Sequence, residues 1–169
     1  GAAGELYGSG PSIAALPDGR YVAVWQTAGD SPDVVGRYLD ANGNPQGATF
    51  AISTSNAHGQ YGPKIAVAAN GGFAVTWTSD DLVAGDFDIR ARVFDANGNA
   101  AGNDFLVDSS TAEEHLPRVA ALSNGNFVIV WTSYGQDGSG YPDRTGHEGK
   151  TMLTHGGTPP GCVVPGHRA

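Results

Sequence analysis

Cysteine and methionine occur once each, at Cys162 and Met152, and lysine only twice, at Lys64 and Lys150. A single thiol forms no internal disulfide and supplies no cysteine-based zinc site of the ordinary kind. The shortage of cations and the formal charge of −8 exclude a general nucleic-acid binder, which needs Lys and Arg to displace counterions from phosphate. They equally exclude docking on an anionic membrane surface. No apolar run reaches the length of about 18 residues that a membrane span requires. No basic segment followed by an apolar one marks a signal peptide at the start. No stretch keeps a helical period, and no Gly-x-x-x-x-Gly-Lys-Ser/Thr loop is present to cradle phosphate.

What the chain does have is glycine, 26 residues of 169, set in turns between short β-branched and aromatic runs. That pattern reads as all-β. It also repeats. Pro11, Pro63 and Pro117 each open a short apolar run, then a turn ending in Gly19, Gly71 or Gly125, then a strand closed by Trp25, Trp77 or Trp131. The openings lie 52 and 54 residues apart, and a period near 50 points to repeat architectures such as β-propellers.

Within the first copy, Ser12–Leu16 and Tyr21–Gln26 read as strands joined by Pro17-Asp18-Gly19-Arg20. Copies two and three place Asn70-Gly71 and Asn124-Gly125 at the same point, as two-residue hairpin turns with positive φ at both central residues would. In the second strand Tyr21, Ala23 and Trp25 alternate with Val22 and Val24. Phe73, Val75 and Trp77 alternate with Ala74 and Thr76, and Phe127, Ile129 and Trp131 with Val128 and Val130. Both sets are mostly apolar, so the strand is expected to be covered on both faces, with the tryptophans as packing residues. Asp33–Asp40 and Asp88–Asp95 read as third strands. Each runs into the same turn, Asp40-Ala-Asn-Gly-Asn44 and Asp95-Ala-Asn-Gly-Asn99, and Thr49–Ser53 and Asp104–Asp108 follow as fourth strands. Four antiparallel strands in about 50 residues make one propeller blade.

The organisation expected is therefore a stub of a preceding repeat over 1–10, repeat 1 over 11–62, repeat 2 over 63–116 and a partial repeat 3 over 117–140. After Gly140 no Asp-Ala-Asn-Gly turn returns. Residues 141–169, rich in Gly and Pro, read as an irregular tail foreign to the repeat. The fold class is all-β, with propeller-like four-stranded antiparallel repeats, two complete and a third partial. A β-sandwich or prism-like packing of the same hairpins is the alternative. Two and a half blades do not close a propeller, so exposed faces and edges predict self-association into a homo-oligomer.

The succession Pro-x-Ile/Val-Ala through Asp/Asn-Gly to Val-Trp, followed by Arg92-x-Phe94-Asp95-Ala-Asn-Gly98, resembles repeats of about 50 residues in large bacterial extracellular proteins. These often accompany RTX (haemolysin-type) calcium-binding sequences. The resemblance covers Pro11–Gly140 and implies an extracellular, secreted protein with an adhesion or passenger role. The Gly-Gly-x-Gly-x-Asp calcium nonapeptides are absent, so calcium does not carry over from them.

Candidate ligands lie in the loops after each Trp: Asp30 and Asp33, then Asp80, Asp81, Asp86 and Asp88, then Asp137. Equivalent loops of a repeat array share one edge, where carboxylates and glycine carbonyls suit calcium's demand for oxygen ligands; solvated turn carboxylates are the plainer reading. Asp40-x-Asn42-x-Asn44 and Asp95-x-Asn97-x-Asn99 echo half of an EF-hand loop. Ala51 and Leu106 stand where the closing Glu belongs, so these read as turns. His58 and His115 read as solvent-facing linker residues, and Glu113-Glu114 as a solvated linker rather than a glycosidase acid pair. His147, Glu148 and His155 fall in the tail without a His-Glu-x-x-His spacing. Neither Gly8-Ser9-Gly10 nor Gly138-Ser139-Gly140 has the spacing of a nucleophile elbow.

The leading expectation from sequence is a non-enzymatic binding or adhesion module, for carbohydrate or another surface ligand, with calcium stiffening the acidic loops. The competing one is a small hydrolase whose site forms at an oligomer interface or with the tail.

Overall fold

The computed structural model describes residues 10–55, 58–83, 86–107, 113–133 and 147–152, with the backbone alone at 81–83, 86 and 147–152. Among them it is all-β. Blade 1 holds β1 (Ser12–Ala15), β2 (Tyr21–Gln26), β3 (Val34–Leu39) and β4 (Pro45–Ala51) in that order. Blade 2 repeats it with β5 (Gln60–Val67), β6 (Phe73–Val83), β7 (Asp86–Phe94) and β8 (Phe105–Leu106). Blade 3 holds β9 (Glu114–Ala121), β10 (Phe127–Ser133) and β11 (His147–Met152). All neighbours pair antiparallel. The first strands lie innermost, β5 against both β1 and β9. These are three propeller-like blades.

One expectation fails at β11. Residues 147–152 are not irregular: they pair with β10 from Phe127↔Met152 to Thr132↔His147 and supply the third strand of blade 3. Glu148-Gly149-Lys150 gives little sequence signal, but β10 presents a free edge of backbone donors and acceptors, and pairing satisfies them whatever the side chains. The rest of 141–169 lies outside the described residues.

The hairpin turns are also of another kind. Leu16 N donates to Arg20 O and Gly19 N to Leu16 O. The same two bonds recur at Ala68/Gly72, Leu122/Asn126, Asp40/Asn44 and Asp95/Asn99. Only the glycine of each turn has positive φ, at 83–86°. These are three-residue loops, a type I turn followed by a left-handed glycine, so the residue before each glycine needs no positive φ. In the two Asp-Ala-Asn-Gly-Asn turns the leading carboxylate is used internally. Asp40 Oδ1 accepts from Asn42 N and Asn44 N, both at 2.8 Å, and Asp95 does the same for Asn97 and Asn99. The turn reading of these segments holds.

The cores sit between blades. The first joins Val22, Val24, Val34 and Ile52 of blade 1 to Phe73, Val75, Trp77 and Phe94 of blade 2. The second joins Ala74, Ile89 and Ala91 of blade 2 to Phe127, Ile129 and Trp131 of blade 3. Each blade thus offers its valine-side face to the tryptophan-side face of the next. Blade 2 is covered on both faces, as the alternation predicts. In blades 1 and 3 one face of the same strand stays open.

Polar groups stitch the seams. Arg92 donates across to Ala51 O and Ile52 O. Arg90 pairs with Asp104 at 2.7 Å, and Asp104 also accepts from the Thr54 amide of blade 1. Burial works against ionisation of Asp104, but the Thr54 amide and Arg90 more than offset it and hold its pKa below the ordinary carboxylate value.

Candidate functional site

At one end of the blades the innermost strands begin, the second strands end and the third begin. The register fixes who meets there. In blade 2, Gln60 faces Ser79 and Ser79 faces Asp88; in blade 3, Glu114 faces Ser133 and His115 faces Thr132. Cross-strand partners share a face, so Gln60, Ser79 and Asp88 lie with Trp77 toward blade 1, and Glu114 and Ser133 lie with Trp131 toward blade 2.

This row is polar yet removed from water. Gln60 and Glu114 are fully buried, Ser133 and Asp88 nearly so. Trp77 Nε1 donates to Gln60 Oε1 at 2.6 Å. Asp80 Oδ1 and Ser133 Oγ are buried with no hydrogen-bond partner among the described residues. Aromatic rings border the row: Tyr61 meets Phe87 edge-on at 6.3 Å, and Phe87 meets the His115 ring at 4.9 Å. Burial pushes the His115 imidazole below its usual pKa, against the opposing pull of Glu113 at 3.7 Å.

A backbone irregularity shapes the entry to each innermost strand. Gly62 has φ of 60° and Leu116 has φ of 56°, and the pairing register slips at both places. Both residues directly precede the repeat proline. This bulge turns the preceding residues, Gln60 and Glu114, into the seam instead of leaving them along the strand.

Of the acidic loop residues expected to gather, Asp30 is exposed and Asp33 half-buried, within 3.4 Å of the Ser53 hydroxyl. Asp88 is buried at the position of blade 2 equivalent to Asp33. Asp81 and Asp86 lie on β6 and β7, their side chains outside the described residues, as is all of Asp137. Among the described residues no three His, Cys, Asp or Glu side chains group as metal ligands. Ser9, Ser139 and His155 also fall outside the described residues.

Two expectations need correcting. His115 does not face solvent, since it packs under Phe87. Glu113 and Glu114 are not a solvated pair: the Glu113 side chain is half exposed while Glu114 is fully buried at the start of β9. The signal was present in the repeat, because Glu114 and Gln60 each stand three residues before their proline.

Buried carboxyl groups at the strand ends, Asp88 in one seam and Glu114 in the next, are of the kind that general acid–base chemistry uses. No family model and no curated protein matches the chain. Solved structures do resemble its fold. The endo-arabinase of Bacteroides thetaiotaomicron superposes with a TM-score of 0.55 at 15% identity, over 93% of this chain and 61% of that one. The Penicillium chrysogenum α-L-arabinanase, solved with arabinobiose, gives 0.56 at 16%, over 89% and 52%. A Hadza microbial sialidase gives 0.60 at 9%, over 85% and 34%. The chain thus spans at most about three-fifths of these chains. Their architecture makes the propeller-like fold secure. Their being enzymes corrects the expectation of a non-enzymatic adhesion module in favour of the hydrolase alternative.

Proposed function

We propose that this chain belongs to a carbohydrate-acting hydrolase, working on a glycosidic bond at the end of the blades where the innermost strands begin. Glu114 is its acid–base carboxyl group, and the Tyr61–Phe87–His115 wall is its sugar-facing surface. The observation that carries this reading is the burial of Glu114. Blade 2 fills the equivalent position with a neutral Gln60, hydrogen-bonded to its own tryptophan. The repeat therefore has a neutral solution, and a buried carboxyl in its place carries a desolvation cost that its surroundings must offset. Groups that cost stability at the mouth of a fold are where function concentrates. The enzymes of like architecture support the substrate class.

The test is release of reducing sugar from arabinan and arabino-oligosaccharides by the full chain, with sialosides as the second substrate class. Glu114→Gln should lower kcat by roughly 100-fold or more while circular dichroism shows the fold retained, because Gln is what blade 2 carries there. Turnover unchanged in Glu114→Gln, or neither turnover nor sugar binding in the parent chain, overturns the reading.

A further inference from the structure

The terminal blades each leave open the face that their neighbours bury. On blade 1 the register places Ile13, Ala23 and Arg37 in one cross-strand row and Trp25 beside Val35 in the next. Ile13 is 58% exposed there, and Trp25 is only half-buried, whereas the equivalent Trp77 and Trp131 are buried in seams. On blade 3 the open face carries Val128 and Val130 with Ala120 and Arg118 opposite them. Val130 is 45% exposed, whereas its blade 1 equivalent Val24 is fully buried.

The two open faces are the two halves of a seam this chain already makes twice. In both internal seams the face that carries Val22 and Val24 in blade 1, and Ala74 and Thr76 in blade 2, meets the tryptophan-side face of the next blade. The polar stitching points the same way. Arg92 donates to Gly102 O within its blade and to Ala51 O and Ile52 O of the preceding blade. Arg37, its equivalent in blade 1, repeats the bond within the blade, to Gly47 O at 3.0 Å, and stands on the open face where a preceding blade would lie.

We propose that a second copy of this chain covers both faces, the Val130 face of each copy seating on the Ile13–Trp25 face of the other to close a six-bladed ring. The contact is heterologous at each seam, and two such seams related by a two-fold axis along the ring centre close the assembly. Six blades, twice the three seen here, fall within the four to about eight at which propellers close. The inference concerns the assembly and stands whether or not the site at the blade ends hydrolyses sugars.

Light scattering or sedimentation of the full chain tests it, with a dimer expected. Ile13→Glu and Val130→Glu each place a charge in one half of the seam, and each should weaken dimerisation by at least 100-fold. Both positions are exposed within the subunit, so circular dichroism and melting should show folded monomers; Ile13→Lys and Val130→Lys serve if a glutamate variant misfolds. Mixing the two variants restores one intact seam, between the Val130 face of Ile13→Glu and the Ile13 face of Val130→Glu, and should return a heterodimer. A monomeric parent chain overturns the proposal. So does a dimer that survives either substitution, which would place the contact elsewhere, or a mixture that stays monomeric.

Discussion

The bond between Trp77 and Gln60 yields the sharpest energetic prediction. Both side chains are fully buried and the indole N–H meets the amide oxygen at 2.6 Å. Gln60→Met keeps volume and removes the acceptor, leaving the indole N–H without water or a partner, at a cost of about 1–3 kcal/mol. For a chain of this size each kcal/mol lowers the melting temperature by about 2–4 °C, so a drop near 6 °C is expected. Trp77→Phe orphans the amide oxygen and leaves a cavity, at about 3 kcal/mol. Combining the two changes removes both halves of the bond, so the double variant should be less destabilised than the sum by about 1–2 kcal/mol. The lost contact of Gln60 Nε2 with His58 O is common to both Gln60 variants and cancels in the cycle. Urea unfolding with an unchanged m-value is the assay. Additivity to within about 0.5 kcal/mol would refute the claim that this bond couples the two side chains.

Two further measurements address other seam contacts. Gly43 and Gly98 end equivalent turns at φ of 83° and 84°. A Cβ at Gly43 meets open space while one at Gly98 strikes the Tyr38 hydroxyl, so both alanine variants should lose about 1 kcal/mol to left-handed strain and Gly98→Ala measurably more; equal losses would show that the turn of blade 2 does not press on blade 1. Asp104, with its pKa depressed in the folded state, contributes stability that is present above the unfolded carboxylate value of about 4 and lost as pH falls through the folded value. Asp104→Asn should cost about 3 kcal/mol at pH 7, with the gap closing below about pH 4; a gap that is constant from pH 7 to 3 in chemical denaturation would contradict this.

Most of the architecture is written in the repeat. Gly19, Gly71 and Gly125 mark three hairpins, the strand Tyr21–Gln26 agrees to the residue, and Asp40 and Asp95 close the turns their sequences announce. The fourth strands are legible in place but not in extent: β4 starts at Pro45, earlier than Thr49, and β8 shrinks to Phe105–Leu106. Strands at a blade's outer edge bury little, so side-chain pattern constrains them weakly. The strand 147–152 is illegible for a related reason, since backbone pairing alone recruits it. Alternation in Tyr21–Gln26 shows two apolar faces without saying that a terminal blade covers only one of them. At the blade ends, paired acids look solvated in a linear sequence. Only the bulge before Pro117, with Leu116 in a conformation that suits glycine, turns Glu114 inward.

Joining unlike faces of like units has an evolutionary corollary. Because every seam joins the same two kinds of face, duplicating or deleting one whole repeat of the gene leaves unlike faces still meeting at each junction and shifts the number of units needed to come full circle. A chain built on this plan can thereby change length in steps of one unit, whereas an insertion of any other size has to be absorbed in the loops at the blade ends. Those loops border Gln60, Asp88 and Glu114, so the segments most tolerant of new sequence lie beside the groups best placed to use it.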